Sequence, residues 1–76
     1  MLSIKYFGLL AEITKCAEET IDFGGGSVSD LRKILAKKHP GLLLVSYQVA
    51  QNLNIVVDEA KIHSNEVALL PPFAGG

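Results

Sequence analysis

From residue 2 to residue 7 apolar and polar positions alternate, with Leu2, Ile4 and Tyr6 on one side and Ser3, Lys5 and Phe7 on the other. That period of two predicts a strand, ended by the Phe7-Gly8 step. Leu9, Leu10 and Ile13 around Glu12 predict one or two turns of helix. Residues 17–23 return to a strand pattern with Ile21 and Phe23 on one side, and pair most economically with 2–7 as an antiparallel hairpin. A well-marked helix follows. Ser27 is placed as N-cap, Asp30 completes a capping-box spacing, and Val28, Leu31, Ile34 and Leu35 recur on one face. Lys37, Lys38 and His39 complement the dipole of the last turn, and Pro40-Gly41 ends the helix. Residues 42–47 are apolar and fit either period. Residues 47–51 and 53–57 read as short strands joined through Asn52 or Asn54, both of which tolerate a left-handed turn. A polar stretch, 58–65, leads to a last strand, 66–70, closed by Pro71-Pro72.

The element order predicts an α+β fold in which one main helix crosses one face of a mixed sheet. The first and last strands read as apolar on both faces, which places them side by side and parallel at the centre of the sheet. Residues 1–76 are expected to form a single domain with 71–76 as an extended tail.

Composition narrows the function classes. The chain is 49% hydrophobic and 20% charged with a net charge of −1, the balance of a folded domain. Its seven Lys and Arg are scattered, so no basic footprint for nucleic acid exists. The longest apolar run, 42–45, is too short to span a bilayer, and the strand that begins at Leu2 leaves no room for a leader. The lone Cys16 reads as a small apolar filler, and a cytoplasmic setting is expected. His39 and His63 lack partners at metal-ligand spacing, so no metal is expected. Gly24-Gly25-Gly26 precedes a helix but lacks the Gly-Lys-Ser/Thr ending of a phosphate loop, and reads as a permissive connection.

The chemistry is concentrated in Pro71-Pro72-Phe73-Ala74-Gly75-Gly76. Two consecutive prolines remove two amide donors and stiffen the exit from the sheet. From Pro71 to Gly76 the extended chain reaches at most ~20 Å, at roughly 3.3–3.6 Å per residue, enough to enter another protein's active site. Gly75 and Gly76 let a narrow channel close around bare backbone and still reach a terminal carboxylate. Such a carboxylate becomes electrophilic as an acyl-adenylate, and sulfide or a thiol can then displace AMP. Phe73, beyond the prolines, reads as a partner contact. Phe7 and Leu69 read equally as docking residues or as core.

The segments Ile4-Lys5-Tyr6-Phe7-Gly8-Leu9-Leu10-Ala11-Glu12, Ser27-Val28-Ser29-Asp30-Leu31-Arg32 and above all Glu66-Val67-Ala68-Leu69-Leu70-Pro71-Pro72-Phe73-Ala74-Gly75-Gly76 resemble the small, sulfur-carrying subunit of molybdopterin synthase, within the ubiquitin-like sulfur carriers. The resemblance implies a β-grasp fold and a carrier that is not catalytic alone and binds no cofactor itself. It implies activation of Gly76 by a ubiquitin-activator-like adenylating enzyme using ATP and magnesium, then conversion to a thiocarboxylate by a sulfur donor. The tail, through Pro71, Pro72, Ala74 and Gly75, would thread into the large catalytic subunit and give sulfur to a pyranopterin precursor of the molybdenum or tungsten cofactor. The family often carries arginine where Ala11 stands and Asp-Gly-Asp where His63-Ser64-Asn65 stands. Three other readings use the same residues: a sulfur carrier for thiamine, thiolated tRNA or cysteine; a ubiquitin-like modifier joined to a lysine; and a passive interaction module with an incidental tail.

Overall fold

The computed structural model describes residues 1–72. Five strands form one mixed sheet: β1 (Leu2–Tyr6), β2 (Glu18–Ile21), β3 (Gln48–Gln51), β4 (Asn54–Val56) and β5 (Glu66–Leu70), in the order β2-β1-β5-β3-β4. β1 and β5 run parallel in the middle, with Ile4 opposite Val67 and Tyr6 opposite Leu69, and every other pairing is antiparallel. A short helix, α1 (Leu9–Thr14), follows β1, and the main helix, α2 (Val28–Lys38), covers one face of the sheet. This is the α+β arrangement expected from the element order, with its first and last strands parallel at the centre, and the β-grasp fold that the resemblance implies.

One face of the sheet makes the core. Ile4, Val49, Val67 and Leu69 from the strands meet Val28, Leu31 and Leu35 from α2, all of them fully buried. The other face is not apolar throughout, contrary to the expectation for β1. There Ser3 and Lys5 are half-buried, and Lys5 Nζ lies 3.3 Å from Glu66 Oε2. An antiparallel neighbour on each outer side lets this central pair show a mixed face to water, which an all-parallel sheet covered by helices would not.

The capping box of α2 forms as read: Asp30 N–H donates to Ser27 Oγ, and Ser27 N–H to Asp30 Oδ2. Val28 and Ser29 donate to the carbonyls of Ala60 and Asp58, and Leu31 to that of Ser27. All four first-turn amides are therefore taken, and the glycines before them serve the connection, with Gly25 and Gly26 at φ 109° and 140°. Ile34 departs from the expected face. At 100° per residue it lies at the flank of the stripe centred on Val28, Leu31 and Leu35, and it is partly exposed. The ambiguous segment 42–47 begins inside a 3₁₀ helix, Pro40–Leu44, in which Leu42 is buried while Leu43 and Leu44 face solvent.

The β3–β4 connection is a two-residue turn with both residues left-handed, Asn52 at φ 51° and Leu53 at φ 65°. Asn52 was one of the two expected turn residues; Leu53, which has no preference for that conformation, is the unexpected partner. The buried amide of Gln51 then ties β3 to the approach of β5. Its Nε2 donates to the Lys61 carbonyl, and its Oε1 accepts from the His63 and Ser64 amides.

Glu19 is a polar tie across three elements. It stands opposite Ile4, so its side chain enters the helix-covered face. Tyr6 donates its hydroxyl to it, Lys38 Nζ lies 2.6 Å from Oε1, and His39 Nε2 lies 2.6 Å from Oε2. An ionised carboxylate only accepts, so His39 Nε2 carries the hydrogen. Burial opposes ionisation of Glu19, but the hydrogen bonds from Lys38, Tyr6 and His39 together outweigh it and lower the carboxyl to about 2. Burial, followed by the bond to Glu19, pushes the Tyr6 phenol upward.

Two predictions follow from these contacts. The folded-state value of Glu19 is depressed, so its contribution is complete above about pH 5 and is lost as pH falls toward about 2. Urea midpoints should fall across that window, and Glu19→Gln should flatten this part of the profile while costing about 1–3 kcal/mol at neutral pH. Leu53→Gly relieves a left-handed leucine and should raise the urea-unfolding free energy by about 1 kcal/mol; an unchanged or lower value would show that the turn holds no strain.

Candidate functional site

The β1–β5 pairing brings the beginning of the fold to the place where the chain leaves the sheet. Phe7 N–H donates to the Leu69 carbonyl at 3.2 Å, one residue beyond the β1 strand. Pro71 follows β5 immediately and is half-buried, while Pro72 is exposed. The other tail residues named above, Phe73, Ala74, Gly75 and Gly76, lie outside the described residues.

Of the two docking candidates on the body, the structure separates Phe7 from Leu69. Leu69 is fully buried against α2, because it alternates with Val67 on the covered face of β5. It is a core residue and offers nothing to a partner. Phe7 points the other way and is 47% exposed. Its neighbour on the open face is Leu70, the residue after Leu69, which reaches solvent beside it.

Around Phe7 and Leu70 the open face carries a shallow groove of about 400 Å³, lined chiefly by apolar side chains that include Ala50, Leu53, Ile55 and Ala68. Ile55 stands opposite Ala50 in the β3–β4 pairing, and Ala50 opposite Ala68 in the β3–β5 pairing, so the three form a row across the sheet. Leu53, at the hairpin tip, is completely exposed. Large apolar side chains gathered on one open sheet face, with one held in a left-handed turn, are what an interaction surface requires and a solvated face does not. Gln48, paired with Leu70 at the end where the chain exits, contributes an Oε1 that is buried without a hydrogen-bond partner among the described residues.

The sequence reading did not single out Leu53, Ile55 or Leu70 as partner residues. The signal was present in Leu53, Ile55 and Val57, which recur at every second position and so share a face. The period alone could not say whether that face was the covered one.

Other candidates resolve to packing. Cys16 is half-buried with Sγ 3.7 Å from Thr14 Oγ1. His39 is committed to Glu19. Among the described residues no three His, Cys, Asp or Glu converge as metal ligands, and no helix is long and apolar enough to cross a membrane. Arg32, in the second block of the resemblance, is a structural group. It donates to Asp58 Oδ1 at 2.8 Å and to the Tyr47 carbonyl at 3.1 Å, and its guanidinium lies 4.4 Å from the Tyr47 ring centroid.

Known proteins match this geometry. No curated protein sequence matches the chain. The solved structure assigned as molybdopterin converting factor, subunit 1, from Pyrococcus furiosus superposes with a TM-score of 0.84 at 21% identity, covering 95% of this chain and 97% of that one. At that identity the likeness establishes the fold. SAMP1 from Haloferax volcanii superposes with a TM-score of 0.79 at 25% identity over 99% of this chain and 98% of that one. A second structure, H. volcanii small archaeal modifier protein 1, gives 0.80 at 25% identity over 95% and 97%. The model of the ThiS family matches residues 4–76, through both glycines of the tail. The chain belongs to the ThiS family, the ubiquitin-like sulfur carriers.

Proposed function

We propose that this protein carries sulfur on the carboxylate of Gly76 for dithiolene formation in molybdopterin synthesis. The observation that carries the sulfur-carrier role is the family match over residues 4–76, which takes in Gly75 and Gly76, and the likeness to the structure assigned as molybdopterin converting factor, subunit 1, favours molybdopterin as the product. The apolar groove beside the exit of β5 supports it, because a partner docked there stands next to the start of the tail.

The chemistry proceeds in balanced steps. The Gly76 carboxylate attacks the α-phosphorus of magnesium-bound ATP on a partner adenylating enzyme, which gives the acyl-adenylate and releases pyrophosphate. Sulfide supplied by a donor adds to the acyl carbon, and AMP leaves with the electron pair of the broken C–O bond. The product is a thiocarboxylate, a soft anion whose sulfur can displace an oxygen leaving group from a carbon of a pyranopterin precursor; water then cleaves the acyl C–S bond, which leaves the sulfur on the precursor and returns Gly76 as a carboxylate. This chain provides the body that docks and the atom that reacts; the large synthase subunit supplies the groups that act on the precursor. Gly75 and Ala74 keep the approach narrow, Pro71 and Pro72 stiffen it, and Phe73 contacts the partner.

A second reading has the likeness to a small archaeal modifier protein in its favour. Activation is the same, but a lysine amine instead of sulfide displaces AMP and leaves an isopeptide bond. The acceptor separates the two.

Intact mass after incubation with ATP, magnesium, sulfide and the host adenylating enzyme should rise by the exchange of one oxygen for sulfur, located at Gly76 by fragmentation. A mass gain equal to a lysine-linked substrate would favour the modifier reading. No gain, with an enzyme active on another carrier, would reject both. Ile55→Asp places a charge in the groove and should weaken capture by the adenylating enzyme at least about tenfold, roughly 1.4 kcal/mol or more. Its urea midpoint should barely move, since Ile55 is half exposed. Equal affinity of Ile55→Asp and wild type would place docking elsewhere.

A further inference from the structure

We propose that Gly8 is a positioning residue for the tail: its bare α-carbon seats the ring of Pro71 and thereby sets the direction in which the chain leaves the sheet. For direction the proposal stands on geometry alone; for its effect on activation it rests on the carrier reading above.

Gly8 follows the last rung of the β1–β5 ladder and opens α1. Its backbone is held from both sides. Phe7 N–H is bonded to the Leu69 carbonyl, and the Gly8 carbonyl accepts from Ala11 N–H at 3.1 Å. α1 is in turn anchored by Leu10, fully buried in the core. Gly8 adopts φ 56° and ψ −132°, a combination that side-chain-bearing residues avoid. A Cβ built at this position would lie 3.3 Å from Pro71 Cγ and 4.0 Å from its Cδ. The proline ring therefore packs directly over the bare α-carbon, and a methyl group at residue 8 would push it away by a few tenths of an ångström.

Pro71 has no N–H and cannot add a further rung to the ladder, so side packing must orient it. The seat has leverage. From Pro71 to Gly76 at most ~20 Å of extended chain remain, so a shift of a few tenths of an ångström at the ring grows along it. Misplacement of a reacting group by about 1 Å can cost about a hundredfold in rate. Gly8 thus links the sheet centre, α1 and the exit direction through one missing methyl group.

The direction is read by pulsed electron-spin distances between labels on Phe73→Cys and Lys37→Cys in a Cys16→Ser background. Gly8→Ala should shift or broaden the distance distribution, with unfolding by heat confirming that the variant is folded. An unchanged distribution would overturn the proposal. Activation is read by pyrophosphate exchange with the adenylating enzyme. Gly8→Ala should lower kcat by about ten- to a hundredfold while KM for the carrier stays within about twofold, because the docking groove is untouched. The pair supplies the decisive comparison. In a Pro71→Ala background the ring is gone, so adding Gly8→Ala should change kcat by less than about twofold. If the two substitutions multiply instead, Gly8 acts only through its own turn and the seat is refuted. Should Gly8→Ala fail to fold, Pro71→Ala alone removes the ring from its seat and should shift or broaden the same spin distances; an unchanged distribution there would overturn the proposal. If the wild-type chain itself is never adenylated, the carrier reading fails and the spin distances still decide the direction.

Discussion

The parallel pairing of β1 with β5 is the constraint on which the rest depends. It joins the two ends of the fold at the middle of the sheet, so the strand that delivers the tail is also the most deeply braced. β1 supports it on one side and β3 on the other, while α2 packs Leu31 and Leu35 over the buried row that includes Val67 and Leu69. The chain is consequently bonded or packed on both sides up to its exit, with Phe7 N–H on the Leu69 carbonyl and Gln48 opposite Leu70. On the function proposed above, the body presents the start of the tail in a repeatable place.

The two sheet faces divide the work. The covered face carries stability through close-packed aliphatic side chains, and it closes at the β2 side with Glu19 binding Tyr6, Lys38 and His39. The open face holds Phe7 and Ile55 in water beside a half-buried Leu70, together with a left-handed Leu53. Exposed apolar area and backbone strain each weaken the isolated molecule. Their occurrence on one face, with Leu53 at the hairpin end and Phe7 and Leu70 at the exit end, is what distinguishes it from an ordinary solvated face.

Much of this was legible in the residues. The capping box at Ser27 and Asp30 and the basic last turn specify α2 locally, with no tertiary information. The alternation of Leu2, Ile4 and Tyr6 specifies β1 in the same way. What was not legible depends on neighbours far along the chain. Periodicity assigns Leu69 and Leu70 to opposite faces but cannot say which face α2 covers, so docking by Leu69 stayed open until the structure buried it. The apolar string after Pro40 hid a 3₁₀ turn, because a proline at its start and a fold-back onto α2 decide that conformation more than hydropathy does. Gln51 looked like any strand polar residue, yet its amide satisfies three backbone groups of a distant turn.

The central position of β5 also bears on synthesis. While the ribosome still holds β5, β1 and β3 face an empty slot, each with an unpaired edge, and the covered face lacks the row that α2 must pack against. Contacts this distant in sequence form late and slowly. The sheet can close only when β5 is free of the ribosome, so the core cannot mature before that segment is released. Until then neither sheet face is complete: α2 lacks the Val67 and Leu69 row beneath it, and the open-face groove lacks Ala68 and Leu70.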